Sequence, residues 1–395
     1  MKVTAITSFV ARASRGYDLG SGVGFLPPLP ASRYSRRPGL RELYGTRVEA
    51  CLTRVETDSG LVGWGESQAP VGPEIAQAIV TRVLAPVVLG QDPFRRDSLY
   101  AEMLGSMHAR GQFGGYQLDA LASVDTALWD LTGRALGVSV NQLVGGPHRV
   151  ELPCYVSGLT AASQEGRREE AHRHTASGFV GVKPFLGRGL AEDEEEAVAL
   201  RSAIPQSAML IADVLGRYRR HEALNLGRRL EGAGVDVLES PVPADDLDGH
   251  AELARALDIP IAAGEALRTR AAFLPWLRRQ AIDIAQPDVM RNGITETLKI
   301  AALAEAFGVP VALHNGAVTS IGMAATWHVA ASIDNFLVQE LEPQMLELFN
   351  PWLRTPLEVR NGCAVVPPGP GLGIELDEER FRADVVSEMT VAHGS

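Results

Sequence analysis

A strict rhythm runs through the second half of this chain. Lys183, Asp213, Glu239, Glu265, Asp288, His314 and Glu340 stand 30, 26, 26, 23, 26 and 26 residues apart, about one βα unit each. Each lies at or near the end of a short apolar, β-branched run: FVGVKPF (179–185), MLIADV (209–214), VDVLES (235–240), IPIAAGE (259–265), IDIAQPDV (282–289), VPVALHN (309–315) and FLVQEL (336–341). CYVSG (154–158) precedes them, and amphipathic stretches such as GHAELARALD and ETLKIAALAEAFG fall between. Strands alternating with helices make parallel sheets, and eight in succession match an α/β barrel of the (β/α)₈ kind, which hides every sheet edge. Catalytic groups of such barrels sit at the C-terminal strand ends. A strand buried on both faces should end in apolar or small residues, because unpaired buried charge is costly. Seven ionisable ends in a row therefore predict one shared polar pocket.

The first part of the chain is built differently. Residues 1–10 and 47–57 alternate like strands, Asp58-Ser59-Gly60 signals a turn, and LVGWGES (61–67) reads as the returning strand. Helical patterns follow over 73–88, 94–107 and 117–136, an α+β arrangement. Between the first two strands, 15–45 is loop-like, with GSGVG, PPLP and arginines at 33, 36, 37 and 41. Glycines cradle phosphate where a helix follows them, but here FLPPLP follows, so the stretch reads as a mobile flap instead. Beyond about 356, Gly-Pro-rich turns (PPGPGLGIE) leave the barrel rhythm and are expected to return to the N-terminal domain. The expected division is 1–147, 148–355 and 356–395.

Composition bears on partners. Lys+Arg 37 against Asp+Glu 48 gives a net charge of -11 with no long basic run, which argues against nucleic acid. EDEEE at 192–196 reads as a solvated helix face. No window approaches the ~18 apolar residues of a membrane helix, and the N-terminus lacks a signal-like apolar core. Cys51, Cys154 and Cys363 are isolated and lie in apolar runs, which points to buried free thiols in a reducing compartment. The expectation is a cytoplasmic protein with no membrane partner.

Roles at the strand ends follow from chemistry. Asp213, Glu239 and Glu265 come from adjacent strands and offer only oxygen, which suits a hard cation, Mg²⁺ before Mn²⁺. Asp288 and His314 lie on neighbouring strands, where a carboxylate on one ring nitrogen raises the basicity of the other. Lys183 is placed to add positive charge beside the metal, and Glu340 to hydrogen-bond a substrate oxygen. Together they imply removal of a proton next to a substrate carboxylate, the base-plus-Mg²⁺ pattern familiar from enolase-type sites. His108, His172 and His328 lie in helical stretches and read as surface or packing residues. His108, just before a glycine-rich turn, is the one to watch.

The chain resembles the enolase superfamily, and within it the mandelate racemase subgroup. The resemblance rests on VGWGES (62–67), ALWDLTGRALG (127–137) and QLVGG (142–146), then on IADV, LESP, AAGE, QPDVMRNGITE, LHN and QE in order through the barrel. It implies a (β/α)₇β modified TIM barrel with an α+β capping domain made from both chain ends. It also implies Asp213, Glu239 and Glu265 as Mg²⁺ ligands, Asp288–His314 as the base dyad and Glu340 as the electrophile. The sister muconate-cycloisomerase subgroup would carry a lysine where this chain has Asp288.

One position departs from the family. Its second barrel strand commonly ends Lys-x-Lys, or Lys-x-another base, and here it reads Lys183-Pro184-Phe185. Phe185 cannot accept a proton, which counts against two-base racemisation. A one-base reaction survives, in which His314 takes the α-proton and then helps expel a β-hydroxyl: dehydration of an acid sugar to a 2-keto-3-deoxy acid. The alternatives are an epimerase or a lactone cycloisomerase working through the same enolate, and, in another class, a non-catalytic binding relative. The flap would close over the mouth, where Arg33, Arg36, Arg37 and Arg41 could meet a distal carboxylate or simply form a solvated face. The expected partner is a small carboxylate, an acid sugar, and a homo-oligomer is expected because relatives are often octamers or dimers.

Overall fold

The computed structural model describes residues 1–16, 26–37 and 42–394. The GSGVG cluster and Arg41 lie outside the described residues.

Strand β1 (Val3–Arg12) is followed by the two-residue strands β2 (Tyr34–Ser35) and β3 (Tyr44–Gly45), which pair with each other. Strands β4 (Glu49–Thr57) and β5 (Val62–Ser67) then complete an antiparallel meander with β1. Helix Gly115–Leu136 lies across this meander, and the alternating glycines of VGWGES let it come so close. A methyl group on Gly63 would sit 2.2 Å from the Ala127 carbonyl oxygen, and one on Gly65 2.0 Å from that of Ser123. Trp64 between them stacks instead with Phe9 and Phe381.

The barrel strands are β6 (Glu151–Ser157), β7 (Gly181–Lys183), β8 (Met209–Asp213), β9 (Val237–Glu239), β10 (Ile261–Ala263), β11 (Ile284–Ala285) and β12 (Gln339–Leu341). β6 to β11 pair in parallel, each with the next, and β12 pairs with β6 to close the ring. VPVALHN was expected as a full strand, but only Val311 and His314 bridge to their neighbours there. Pro287 and Pro310 lack the amide hydrogens that a continuous ladder needs, so pairing falls back to single bridges. Among the described residues seven helices alternate with these strands, from Gln164–Ala176 to Ser320–Ser332. No single helix among the described residues is long and apolar enough to cross a membrane.

The inside of the ring explains the charged strand ends. Tyr155, Ile211, Val237, Ala262, Ile284, Ala312 and Val338 form one apolar cluster, one residue from each of seven staves. Side chains two residues apart on a strand share a face. Asp213, Glu239, His314 and Glu340 each follow a member of this plug by two, so they stand one layer above an apolar floor.

After the barrel, β13 (Val359–Arg360) and β14 (Cys363–Val365) form a hairpin whose second strand runs antiparallel to β6. β15 (Val385–Ala392) pairs with β1, Ala392 opposite Ala5, which makes β1 an inner strand of a four-stranded sheet. Two readings need correction. Within EDEEE, Asp193 and Glu196 are buried rather than solvated. Residues three apart share a helix face, and these two turn inward. Asp193 accepts from the Gly187 and Arg188 amides, while Glu196 pairs with Arg167 at 2.6 Å. The three cysteines are free, but Cys363 is only half-buried, on the hairpin edge.

Candidate active site

Strand register brings the predicted residues together. Asp213 is directly opposite Glu239, Lys183 opposite Ser157, and Asp288 bridges to His314. Lys183, 1% exposed, donates to Glu239 and to Glu340 at 2.7 Å each and lies 3.8 Å from Asp213. Across the mouth, Nδ1 of His314 is 2.7 Å from Asp288 and Nε2 is 2.7 Å from Glu265. The second oxygen of Glu340 accepts the Asn315 amide at 2.9 Å. A cavity of about 320 Å³ opens above Lys183, Phe185, Asp213, Glu265, His314 and Glu340. Phe185 stands in its wall at the bridge to Asp213, and its ring, like that of Tyr155, lies within 6 Å of the Lys183 ammonium.

Burial sets the electrostatics, and neighbours then decide each sign. Burial, reinforced by Glu239, pushes Asp213 well above the usual carboxylate range. Burial disfavours charge on Lys183, but Glu239 and Glu340 overcome it and hold the ammonium. Glu340 in turn is lowered to about 2, Lys183 outweighing desolvation. On the other flank burial opposes an imidazolium at His314, yet Glu265 and Asp288 raise it well above the usual histidine range. Glu265 is correspondingly depressed against its own desolvation.

The donor set fits a hard divalent ion in its chemistry: three carboxylates on adjacent strands, with neither sulfur nor imidazole among them. As placed, no three of the described Asp, Glu, His or Cys residues form a ready-made cage. Glu239 is taken by Lys183 and by Gln286, 2.7 Å away, and Glu265 by His314. Cationic or donor groups thus hold the carboxylates whose mutual repulsion a metal would otherwise relieve.

Sequence reasoning passed over Arg291 and Glu342. Arg291 is one turn after Asp288, donates to the Glu265 carbonyl at 2.8 Å and lies 3.5 Å from the Asp288 carboxylate. Its place inside QPDVMRNG, three residues after a strand-end acid, was the available signal. Glu342 lines the same cavity, two residues after Glu340. The flap arginines fare differently from one another. Arg33 is bound to Glu49 and Glu74 at 2.7 Å, Arg37 is buried near the Tyr44 ring, and Arg36 is exposed. Among the described residues, the cap arginine that lines the cavity is Arg47. His328 is a buried packing residue, His172 is exposed, and His108 packs on Phe113 in a separate groove.

The cap is stitched to the base flank. Glu66, the acid of VGWGES, accepts from the Thr319 amide at 2.9 Å, from its hydroxyl at 2.5 Å and from the Gly322 amide at 2.8 Å. It thereby caps helix Ser320–Ser332, whose N-terminus favours a negative group. Gln68 donates to the Gly316 carbonyl at 2.8 Å. Asp125 takes the Thr295 amide and hydroxyl at 2.9 and 2.6 Å, beside Gly293, whose φ of 75° and lack of a Cβ admit the carboxylate.

A barrel with acids on successive strand ends, an Asp–His pair and a cap over the mouth defines a class, and comparison with known proteins places the chain within it. Residues 44–145 match the mandelate racemase / muconate lactonizing enzyme N-terminal domain, and residues 166–380 the enolase C-terminal domain-like family. The chain belongs to the enolase superfamily, in its mandelate racemase subgroup. It is 35% identical to the D-galactarolactone cycloisomerase of Agrobacterium fabrum, over 83% of this chain and 89% of that one. It is 33% identical to the arabinonate dehydratase of Saccharolobus solfataricus, over 85% and 90%. The solved L-talarate dehydratase of Polaromonas sp. JS666, complexed with Mg and L-glucarate, superposes with a TM-score of 0.82 at 27% identity, over 99% of each chain. The relatives support an enzyme of enolase-type acid-sugar chemistry.

Proposed function

We propose that this chain is a Mg²⁺-dependent acid-sugar dehydratase, a lyase that removes the proton α to a carboxylate and then a β-hydroxyl, giving a 2-keto-3-deoxy acid. The observation that carries it is the asymmetry of the cavity: a carboxylate-held imidazole, His314, on one flank, and Phe185 where a second base would stand. Asp213, Glu239 and Glu265 would hold the metal, with Mn²⁺ a possible substitute. Bound there, a divalent cation would stabilise the extra negative charge that develops on the substrate carboxylate. Lys183 adds positive charge beside that carboxylate, and Glu340, fixed by Lys183 and the Asn315 amide, hydrogen-bonds its oxygen. His314 takes the α-proton at Nε2, and Asp288 fixes its tautomer at Nδ1. Arg47 on the cap side favours a substrate with further anionic or polar groups. The free thiols agree with a cytoplasmic protein, which would act as a homo-oligomer.

Opening of an acid-sugar lactone through the same intermediate is the second reading, supported by the 35% identity to a galactarolactone cycloisomerase. Incubation with arabinonate, galactonate, galactarate and galactarolactone separates the two. A 2-keto acid, trapped as its semicarbazone, is expected from at least one open-chain acid, is lost on chelation and returns with Mg²⁺. Full activity after verified metal depletion refutes the metal assignment. Lactone opening with no keto acid from any open-chain member moves the assignment to the cycloisomerase.

A further inference from the structure

The base flank holds a second carboxyl that the reaction above leaves without a task. Glu342 continues the extended backbone at the end of β12, with φ -98° and ψ 103°, two residues after Glu340, so both carboxylates are turned toward the mouth. Glu340 is committed to Lys183 at 2.7 Å, whereas no Lys, Arg or His among the described residues pairs with Glu342. Gly316 lies beside both His314 and Glu342. A methyl group on Gly316 would lie 3.2 Å from Nε2 of His314 and 3.6 Å from Oε1 of Glu342. The absence of a side chain there leaves a notch bordered by His314 and by the Glu342 carboxyl, which accepts from the Ala317 amide but, among the described residues, from no cation.

Dehydration poses a problem for one base. Hydroxide is a poor leaving group and needs a proton as the C–O bond breaks, at the moment when His314 has just become an imidazolium beside the α-carbon. The α- and β-carbons are neighbours, so a group one notch away from Nε2 reaches the β-oxygen from the same face.

We propose that Glu342 is the general acid that protonates the departing β-hydroxyl, so that His314 serves as base alone; this rests on the dehydratase reading. The α-C–H bond breaks and its proton goes to Nε2 of His314. The electron pair forms the Cα–Cβ double bond as the β-C–O bond breaks, and its electrons leave on oxygen. That oxygen takes the proton of Glu342 and departs as water, leaving a carboxylate. On ketonisation His314 returns its proton to the β-carbon, and the proton lost by the enol hydroxyl replaces the one Glu342 gave.

The surroundings suit a proton donor. Glu342 is half-buried, and desolvation followed by repulsion from Glu340 brings it to about 7, against the opposing pull of Lys183 and His314. Behind it a second cavity of about 170 Å³ is shared with Glu170, Arg173, His174 and Glu347. These polar groups offer a route by which solvent can renew the proton.

E342Q, E342D and the unaltered protein are compared in deuterated water by two readouts, α-proton exchange and 2-keto acid release, with galactonate and galactarate as hydroxyl-leaving substrates. Galactarolactone is the control, because its leaving carboxylate needs no proton. Expected for E342Q is keto-acid release reduced about 10²- to 10⁴-fold, with exchange and lactone opening within about tenfold of the unaltered protein and E342D partly restored. Retained exchange also shows that the variant is folded. Equal loss of exchange and elimination, or unchanged elimination, overturns the proposal. No exchange by the unaltered protein with any of these acids refutes the dehydratase reading itself, and the role of Glu342 with it.

Discussion

The two flanks of the cavity are built on different principles. At the Lys183 flank every charge is answered at close range: one ammonium serves Glu239 and Glu340 at 2.7 Å and Asp213 at 3.8 Å, with aromatic rings around it. At the His314 flank the imidazole lies between two carboxylates, beside a glycine notch, and the neighbouring loop is tied to the cap through Glu66 and Gln68. The first flank is a tight cluster held around one ammonium. The second has a group that titrates, open space next to it, and a connection to the domain that covers the mouth. This arrangement suits charge stabilisation on one side and, under the proposed function, proton transfer on the other.

The sharpest way to break the comparison is H314N. With Asp213, Glu239 and Glu265 left intact, α-proton exchange in deuterated water should fall about 10²- to 10⁴-fold, and unchanged exchange would rule out His314 as the proposed base. K183M attacks the opposite flank. It leaves Glu239 and Glu340 buried without their cation, so the metal-free variant should lose about 3–5 kcal/mol in urea unfolding. A loss under 1 kcal/mol would mean that Lys183 is not what compensates the acids. The third test concerns the stitch. Burial raises Glu66 to about 7. A carboxyl raised in the folded state contributes stability that is complete below about 4.5 and lost as pH rises through 7. The unaltered protein should therefore lose stability relative to E66Q between those values, on the order of 3 kcal/mol at most. Parallel pH profiles for the two would show that Glu66 stays ionised on its three donors.

Much of this was readable because barrels repeat. A spacing near 26 residues returns the chain to the same height on the next stave, so Asp213, Glu239, His314 and Glu340 could be read as neighbours from spacing alone. The same regularity hid what does not repeat. Reading one residue per unit finds Glu340 and passes over Glu342, although the two-residue period of a strand puts both on one side. Arg291 follows Asp288 by a helical turn, which strand counting does not register. Asp193 and Glu196 look solvated in a run of five acids, because the count ignores which of the five share a helix face. Nor could any period choose among the cap arginines. Arg33 is spent on Glu49 and Glu74, and Arg47 lines the cavity, for reasons of loop path alone.

The pairing of β15 with β1 has a consequence for how the molecule is made. β1 leaves the ribosome about 370 residues before one of its two neighbours, Val385–Ala392. Until then an inner strand of the cap presents an open edge, the kind that pairs with other chains. The long separation also raises contact order, which slows folding. Completion of the cap therefore waits on a segment made long after β1. A nascent chain arrested short of residue 385 should carry a folded barrel under an unfinished roof, and should depend on chaperones in proportion to the wait.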